Sequence, residues 1–321
     1  MPNPGDEHVA RAAAVLRAGG VVAIPTETVY GLAADVSNAA AIARVYAIKG
    51  RPPDHPLIVH AHDLAALDGY VAQITPALRA LADAFWPGPL TAVVARGPRT
   101  PRTVTGGQDT VAVRVPEHPV ARAILAAFGG ALAAPSANRF GRVSPTTAEH
   151  VRADLGDEVD LIVDGGPSRV GLESTIADLT GAVPAVLRAG AISASQLGEA
   201  LGTPVVTRAG GGVRAPGMLP SHYAPRARVV LVETDPEAAA RSRAGAGERV
   251  GLLTLPADAQ AAGRTLYAAL RALDAEGYDA IVVRLPADTE ANAAVRDRLI
   301  RAAAPRARPD SPPPAANDRS T

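Results

Sequence analysis

The sequence predicts an α/β protein: an open sheet with flanking helices over residues 8 to about 205, followed by a smaller unit with a parallel sheet. Three observations carry this. In the first stretch, apolar runs of strand length alternate with alanine-rich runs of helical length, the pattern of an α/β layer structure. Glycine and proline then break the chain from Arg208 to Pro225, where no regular element fits. Past that break three strand–helix repeats resume, as a small parallel sheet requires.

Strands are expected at 20–24, 56–60, 90–95, 110–115, 131–135, 161–164, 175–179 and 185–188, each an apolar run. Pro25 ends the first, Pro135 ends the fifth, and Asp164-Gly165-Gly166 turns the chain after the sixth. Helices are expected between them at 7–18, 39–48, 76–84, 118–128, 147–155 and 193–201. Ser144-Pro145-Thr146-Thr147-Ala148-Glu149 reads as a helix start, with Thr146 and Glu149 spaced as a capping box. In the second unit, strands at 228–232, 250–254 and 280–284 alternate with helices at 235–243, 262–276 and 290–303. The Pro-, Arg- and Asp-rich stretch 305–321 has almost no apolar residues and is expected to be disordered. The expected organisation is therefore a first domain over 1–206, a linker or lid over 207–227, a small α/β domain over 228–304 and a tail.

With 321 residues and 47% hydrophobic content, the chain can bury a real core and has room for two domains. Its net charge is zero, so no global basic field holds nucleic acid, and any RNA contact must be local. Cysteine is absent, which excludes disulfides, a thiolate nucleophile and cysteine-ligated metal. The seven histidines show no metal-ligand spacing, and no metal held by the protein itself is expected. No signal-peptide pattern opens the chain, and no apolar run approaches the roughly 20 residues of a membrane span, so a cytoplasmic location is expected.

One lysine stands alone among the basic residues: every other is arginine. An ammonium is a compact point charge that can sit against a phosphate or lose its proton, whereas the guanidinium fork is planar and always charged. This residue, Lys49, lies in Lys49-Gly50-Arg51-Pro52-Pro53, read as a loop from which both charges project. Pro25-Thr26-Glu27-Thr28-Val29-Tyr30-Gly31 puts polar side chains at a strand end, where open α/β sheets bind ligands. In the 110–115 strand, period two sets Thr110, Ala112 and Arg114 on one face and Val111, Val113 and Val115 on the other. A buried Arg114 needs a carboxylate, from the protein or from a ligand. Period two also sets Ala134 and Ser136 together, and the hydroxyls beside the 144–149 helix start suit a phosphate. No phosphate-loop motif, Ser/His/Asp ordering or paired-carboxylate motif is present. The inventory fits alignment and charge neutralisation of substrates that supply their own nucleophile.

Taken together, Pro25-Thr-Glu-Thr-Val-Tyr-Gly-Leu32, Lys49-Gly-Arg-Pro52, His55-Pro-Leu-Ile-Val-His60, Phe85-Trp-Pro-Gly-Pro-Leu-Thr91, Val111-Ala-Val-Arg114, Pro135-Ser-Ala-Asn138, Ser144-Pro-Thr146 and Glu173-Ser-Thr-Ile176 resemble the YrdC-like family of L-threonylcarbamoyladenylate synthases. The match runs over roughly residues 8–205, and Pro216-Gly-Met218 with His222-Tyr-Ala-Pro225 and the second unit resembles the long, two-domain form. The resemblance implies a twisted, open, mixed sheet with flanking helices, then a Rossmann-like C-terminal domain. It implies condensation of L-threonine, bicarbonate and ATP to threonylcarbamoyl-AMP and pyrophosphate, the nucleotidyltransferase step that precedes tRNA modification.

By resemblance, Lys49 and Arg51 contact the triphosphate as the catalytic pair, and His55, Thr110, Ser136, Asn138, Ser144, Arg188 and Tyr223 complete the ATP site. Thr28, His60, Arg114, the Ala134 backbone and Ser174 hold threonine, with Arg114 on its carboxylate. Magnesium is expected on the phosphates rather than in a carboxylate cage. The implied partners are the downstream tRNA threonylcarbamoyl transferase complex and, by a weak contact, tRNA; no membrane is implied. Ala215 and Ser221 depart from the family's linker, where many relatives carry serine and a basic residue. The alternative reading is a non-catalytic module that binds tRNA or ribosomal RNA, against which neutral net charge and few aromatics weigh.

Overall fold

The computed structural model describes residues 4–208, 215–217 and 221–305. Most of the glycine-rich linker, at 209–214 and 218–220, and the tail from 306 lie outside the described residues. The first unit runs α1 (Pro4–Arg17), β1 (Val22–Ile24), β2 (Gly31–Asp35), α2 (Ala39–Lys49), β3 (Ile58–His60), α3 (Pro76–Phe85), β4 (Leu90–Ala95), β5 (Thr110–Arg114), α4 (Pro119–Phe128), β6 (Leu132–Ala133), α5 (Ala148–Leu155), β7 (Leu161–Ile162), β8 (Thr175–Asp178), β9 (Ala185–Arg188), α6 (Ala194–Leu201) and β10 (Val206–Thr207). The second runs β11 (Arg228–Val232), α7 (Pro236–Gly245), β12 (Val250–Leu253), α8 (Ala259–Ala275), β13 (Ala280–Arg284) and α9 (Ala293–Ala303). No helix among the described residues is long and apolar enough to cross a membrane.

Ten strands form one mixed sheet in the order β10-β9-β8-β4-β5-β3-β6-β2-β1-β7, and β11-β13-β12 form a separate, all-parallel sheet. Period two decides what each face of the large sheet buries. On one face, Val22, Ile24, Ala33 and Leu132 pack against Ala12 and Leu16 of α1 and Ile124 and Leu125 of α4. On the other, Ala23, Leu32, Ala34 and Ala133 pack with Ile42 and Val45 of α2 and Val151 and Leu155 of α5. A strand buried on both faces carries no apolar–polar alternation. That is why β2, Gly-Leu-Ala-Ala-Asp, escapes sequence reading: alanine marks no face and the run lacks β-branched residues.

Two local readings change. Lys49 is not on a loop; it is the last residue of α2, and Gly50 caps that helix in the left-handed region at φ 61°, which glycine adopts without penalty. The helix at 148–155 is capped by Thr147, whose hydroxyl accepts from the His150 amide at 3.3 Å, not by a Thr146–Glu149 box. Thr146 Oγ1 instead lies 3.3 Å from His150 Nδ1. Short strands at 206–207 and 3₁₀ turns at 65–67 and 156–158 also lie outside the sequence expectation.

The smaller sheet is not an appendage. Val29, Val143, Leu172 and Tyr223 share one buried apolar cluster with Leu266, Tyr267, Val295 and Leu299. Arg271 of α8 adds an ion pair to Asp154 of α5 at 2.5 Å, with both side chains mostly buried. The two units thus meet behind the strand ends that carry the polar motifs.

Candidate active site

A narrow cleft opens at the ends of β3, β5 and β8, bordered by the turn after β1 and the loop after β6. The turn is held in place by backbone bonds: Leu32 N donates to Pro135 O at 2.7 Å, Ala137 N to Tyr30 O at 2.8 Å and Tyr30 N to Pro145 O at 2.9 Å. Adjacent strands bring Ile58 opposite Ala112 and His60 opposite Arg114, so the last residues of β3 and β5, His60 and Arg114, face the cleft together.

Arg51, Ser136, Arg188, Tyr223, Thr28, His60, Arg114, Ala134 and Ser174 line this cleft. Lys49, His55, Thr110, Asn138 and Ser144 do not. Each exception has a physical cause. Lys49 points behind the 136–138 loop, donating to the carbonyls of Ser136 and of Asn138, the latter at 2.7 Å. His55 packs edge-on against Phe140, with ring centroids 5.3 Å apart. Thr110 shares the face of Arg114 but sits at the far end of β5, paired with Ala95. Asn138 gives its amide nitrogen to the carbonyls of Arg139 and Arg142 at 2.8 and 2.9 Å, which leaves Oδ1, an acceptor, as its unpartnered atom. Ser144 donates to Glu173 Oε1 at 2.5 Å, one layer beneath the cleft.

The charge balance is lopsided. Lys49, Arg51, Arg114 and Arg188 are all buried, yet only Arg114 has a carboxylate within ion-pair reach among the described residues. Its Nη2 lies 2.5 Å from Glu27 Oε1, its Nη1 donates to Thr28 Oγ1 at 2.9 Å and its Nε to Gly88 O at 3.2 Å. Arg188 bonds only neutral oxygens: the Ser174 carbonyl at 3.1 Å, Ser174 Oγ at 3.1 Å and the Pro216 carbonyl at 3.0 Å. Arg51 likewise bonds only the carbonyls of His55 and Pro56, at 3.4 and 2.8 Å. Burial, then the nearby Arg51 charge, pushes the Lys49 ammonium well below its ordinary value, and burial brings Arg51 down to about 10. Buried cations without counter-ions are costly, and a polyanionic ligand removes that cost.

The cleft's other end is neutral. Burial and the neighbouring Arg114 charge bring His60 down to about 3, so its imidazole is uncharged. Nδ1 lies 3.1 Å from the Ile58 carbonyl, which can only accept, so Nδ1 carries the proton and Nε2 is the acceptor. Two buried polar atoms of the cleft lining, His222 Nδ1 and Tyr223 OH, have no protein partner among the described residues, and Asn138 Oδ1 has none in the adjoining 136–138 loop. Groups of that kind in one place mark where a ligand completes the bonding.

Residues 215–217 and 221–224 fold over the opening. Tyr223 holds a left-handed backbone at φ 60°, unusual for a bulky residue and found where surrounding structure enforces it. Its neighbour Gly217 has φ 83°, and a Cβ there would lie 2.2 Å from Tyr223 OH. Backbone bonds hold the segment: His222 N to Arg301 O at 3.3 Å and Ala224 N to Gly141 O at 2.9 Å.

Sequence reasoning did not assign Glu27, Glu173, Pro216, Gly217 or His222 to the site, although all five line or close it. Each stands inside a motif already noted, so their signal was position in the motif rather than residue chemistry. No described cluster of three or more acidic or histidine side chains is placed to hold a metal ion. Both cleft carboxylates are occupied, Glu27 by Arg114 and the Glu117 amide, Glu173 by Ser144, Tyr267 and Arg298. The donor set therefore does not fit a resident divalent cation.

Residues 14–190 match the Sua5/YciO/YrdC family, described as telomere recombination, and residues 192–304 match the family described as threonylcarbamoyl-AMP synthase, C-terminal domain. The chain is 39% identical to threonylcarbamoyl-AMP synthase of Bacillus subtilis, covering 93% of each chain. It is 37% identical to that of Pyrococcus abyssi, over 91% of this chain and 92% of the relative. It superposes on the crystal structure of P. abyssi Sua5 complexed with L-threonine with a TM-score of 0.87 at 36% identity, covering 93% of this chain and 94% of that one. The mixed sheet, the cation-rich cleft and the small parallel sheet behind it place this chain in the Sua5/YciO/YrdC family of threonylcarbamoyl-AMP synthases, in the form that carries the Sua5 C-terminal domain.

Proposed function

We propose that this chain is a nucleotidyltransferase that joins L-threonine, bicarbonate and ATP into threonylcarbamoyl-AMP and pyrophosphate, with magnesium entering as part of the MgATP substrate. The observation that carries this reading is a pair of buried cations, Arg51 and Arg188, that line the cleft without a carboxylate partner among the described residues, backed by Lys49 behind the 136–138 loop and facing the Arg114-bearing end of the same cleft. A triphosphate supplies the missing negative charge at one end, and an amino-acid carboxylate meets Arg114 at the other.

In this account the threonine nitrogen attacks the carbon of bicarbonate and the carbamate forms as water leaves. One carbamate oxygen then attacks the α-phosphorus, and the bond to the bridging oxygen breaks so that pyrophosphate departs. Threonine is held by Thr28, Arg114, the Ala134 backbone and Ser174, and His60 Nε2 accepts an N–H or O–H from it. ATP is held by Arg51, Arg188, Ser136 and Tyr223, and by His55, Thr110, Asn138 and Ser144 at its margins. Lys49 adds its charge from behind the 136–138 loop. Two anions must approach one another, and the fixed cations offset that repulsion. Residues 215–217 and 221–224, folded over the cleft, limit the access of water to the labile carbamate. The product then passes to a transferase complex that acts on tRNA, in the cytoplasm.

The test is product identity. Incubation with ¹³C-bicarbonate, L-threonine and MgATP, followed by rapid mass analysis, is expected to give an adenylate carrying one labelled carbon and the threonine mass. An unlabelled adenylate, or none, contradicts the reading.

A further inference from the structure

The second domain delivers one fully buried cation to the edge of the cleft. Arg298 of α9 has no exposed surface. Its Nε donates to Glu173 Oε2 at 2.8 Å, its Nη2 to the Ala189 carbonyl at 3.0 Å and its Nη1 to Asp297 at 2.6 Å. The guanidinium carbon sits 5.0 Å from the centre of the Tyr223 ring. Tyr267 of α8 donates its hydroxyl to the same Glu173 oxygen at 2.8 Å, and its ring stacks on Tyr223 at 5.8 Å. Among the described residues, no other cation pairs with Glu173.

We propose that Arg298, assisted by Tyr267, is a positioning residue of the reaction: a counter-ion from the second domain that holds Glu173 and thereby leaves Arg188 to the ATP phosphates. This rests on the nucleotide reading of the cleft given above. Glu173 lines the cleft and feels the field of Arg188. Arg188, for its part, bonds only neutral oxygens of Ser174 and Pro216. Without Arg298, Glu173 becomes a buried carboxylate with two neutral donors, Ser144 and Tyr267, an unfavourable arrangement that is relieved by taking the nearest guanidinium. Capture of Arg188 removes a cation from the nucleotide and draws it off the carbonyl that anchors Pro216. The Arg114–Glu27 pair, which meets the threonine carboxylate, is not touched by this exchange; the Ser174 oxygens that accept from Arg188 are its one link to the threonine end.

The prediction is therefore selective. In full-length protein, Arg298→Met is expected to raise the KM and the calorimetric Kd for ATP about tenfold, within the usual range of coupling between sites, while the threonine KM stays within about twofold. Adding Glu173→Gln to that variant is expected to restore most of the ATP affinity, because a neutral amide does not capture Arg188. Arg298→Lys should retain more than half of the effect of the native charge, and Tyr267→Phe should give a smaller ATP-selective loss of about threefold. Equal losses for ATP and threonine, or no recovery with Glu173→Gln, would overturn the proposal and leave Arg298 a packing residue. If Arg298→Met does not fold, Tyr267→Phe decides alone: an unchanged ATP Kd overturns the proposal. Wild-type protein that binds ATP yet releases no threonine-dependent pyrophosphate overturns the functional reading, and the calorimetric comparison still decides the role of Arg298. Wild-type protein that binds no ATP overturns both.

Discussion

Glu27 Oε1 lies 2.5 Å from Arg114 Nη2, and both side chains are buried, 3% and 5% exposed. The other Glu27 oxygen accepts the Glu117 amide at 3.1 Å, so the carboxylate is pinned and in turn sets the plane of the guanidinium. The pair joins the turn after β1 to the end of β5. A guanidinium fixed on one edge presents its remaining donors in a single direction, which suits an incoming carboxylate.

Weakening that tether should loosen threonine binding alone. Glu27→Gln retains the side-chain shape but removes the charge that fixes Arg114. We expect the threonine KM to rise about five- to tenfold, with the ATP KM within about twofold, in separate substrate titrations. A change in the ATP term instead would place Arg114 at the nucleotide.

Lys49 closes α2 and reaches two carbonyls of the 136–138 loop from behind. A guanidinium is wider and flat, and cannot enter between two carbonyls placed for a point donor. Lys49→Arg should therefore keep the circular dichroism spectrum of the folded chain while lowering kcat by at least about 100-fold, the scale of a lost electrostatic contact in an active site. Activity near wild type would show that charge alone suffices at this position.

Burial holds His60 and His222 near a value of about 3 and also lowers His118 and His150. An unfolded chain takes up protons at these rings near pH 6.5, whereas in the folded chain all four take them up at lower pH, His60 and His222 only near 3. The unfolded state therefore binds more protons between those limits, and stability falls as pH drops through 6.5 toward 3. Between pH 6.5 and 5, His60 and His222 should each account for on the order of 1–2 kcal/mol of this loss. Glu173, which Arg298 and Arg188 hold at about 2 against the opposing effect of burial, adds to the same fall only below about pH 4.5. Urea melts at pH 7 and 5 should show a shallower dependence in His222→Gln; an unchanged slope would exclude that ring as a contributor.

Gly217 sits under Tyr223 OH and beside Arg188, in a left-handed backbone. Gly217→Ala cannot keep both, so it should shift Tyr223 and raise the ATP KM by about tenfold with a melting temperature lowered by only a few degrees. A normal ATP KM would show that the Tyr223 ring has no part in nucleotide binding.

Much of this was legible in the chain. A buried Arg114 in need of a carboxylate is legible from period two, which sets it on the face of Thr110 and Ala112, and Glu27 supplies that carboxylate. The same rule set Ala134 beside Ser136 in the cleft. What periodicity does not convey is depth along a strand: Thr110 shares that face but lies at the opposite end of β5 from Arg114, paired with Ala95. Nor does it convey direction at a helix end, where one residue decides whether Lys49 projects outward or folds back under the next loop. Strand β2 was lost because alanine satisfies helix and sheet alike when both faces are buried. Arg298 carries no local signal at all. It is one arginine among many on an alanine- and arginine-rich helix, and only tertiary packing selects it for the interior.

The account rests on one chemical dependence. Pyrophosphate release from MgATP should require both L-threonine and bicarbonate, falling to background when either is withheld, and Arg114→Ala should bring the threonine-dependent release to background. Release that proceeds at the same rate without threonine, or without bicarbonate, would contradict the assignment of the two ends of the cleft.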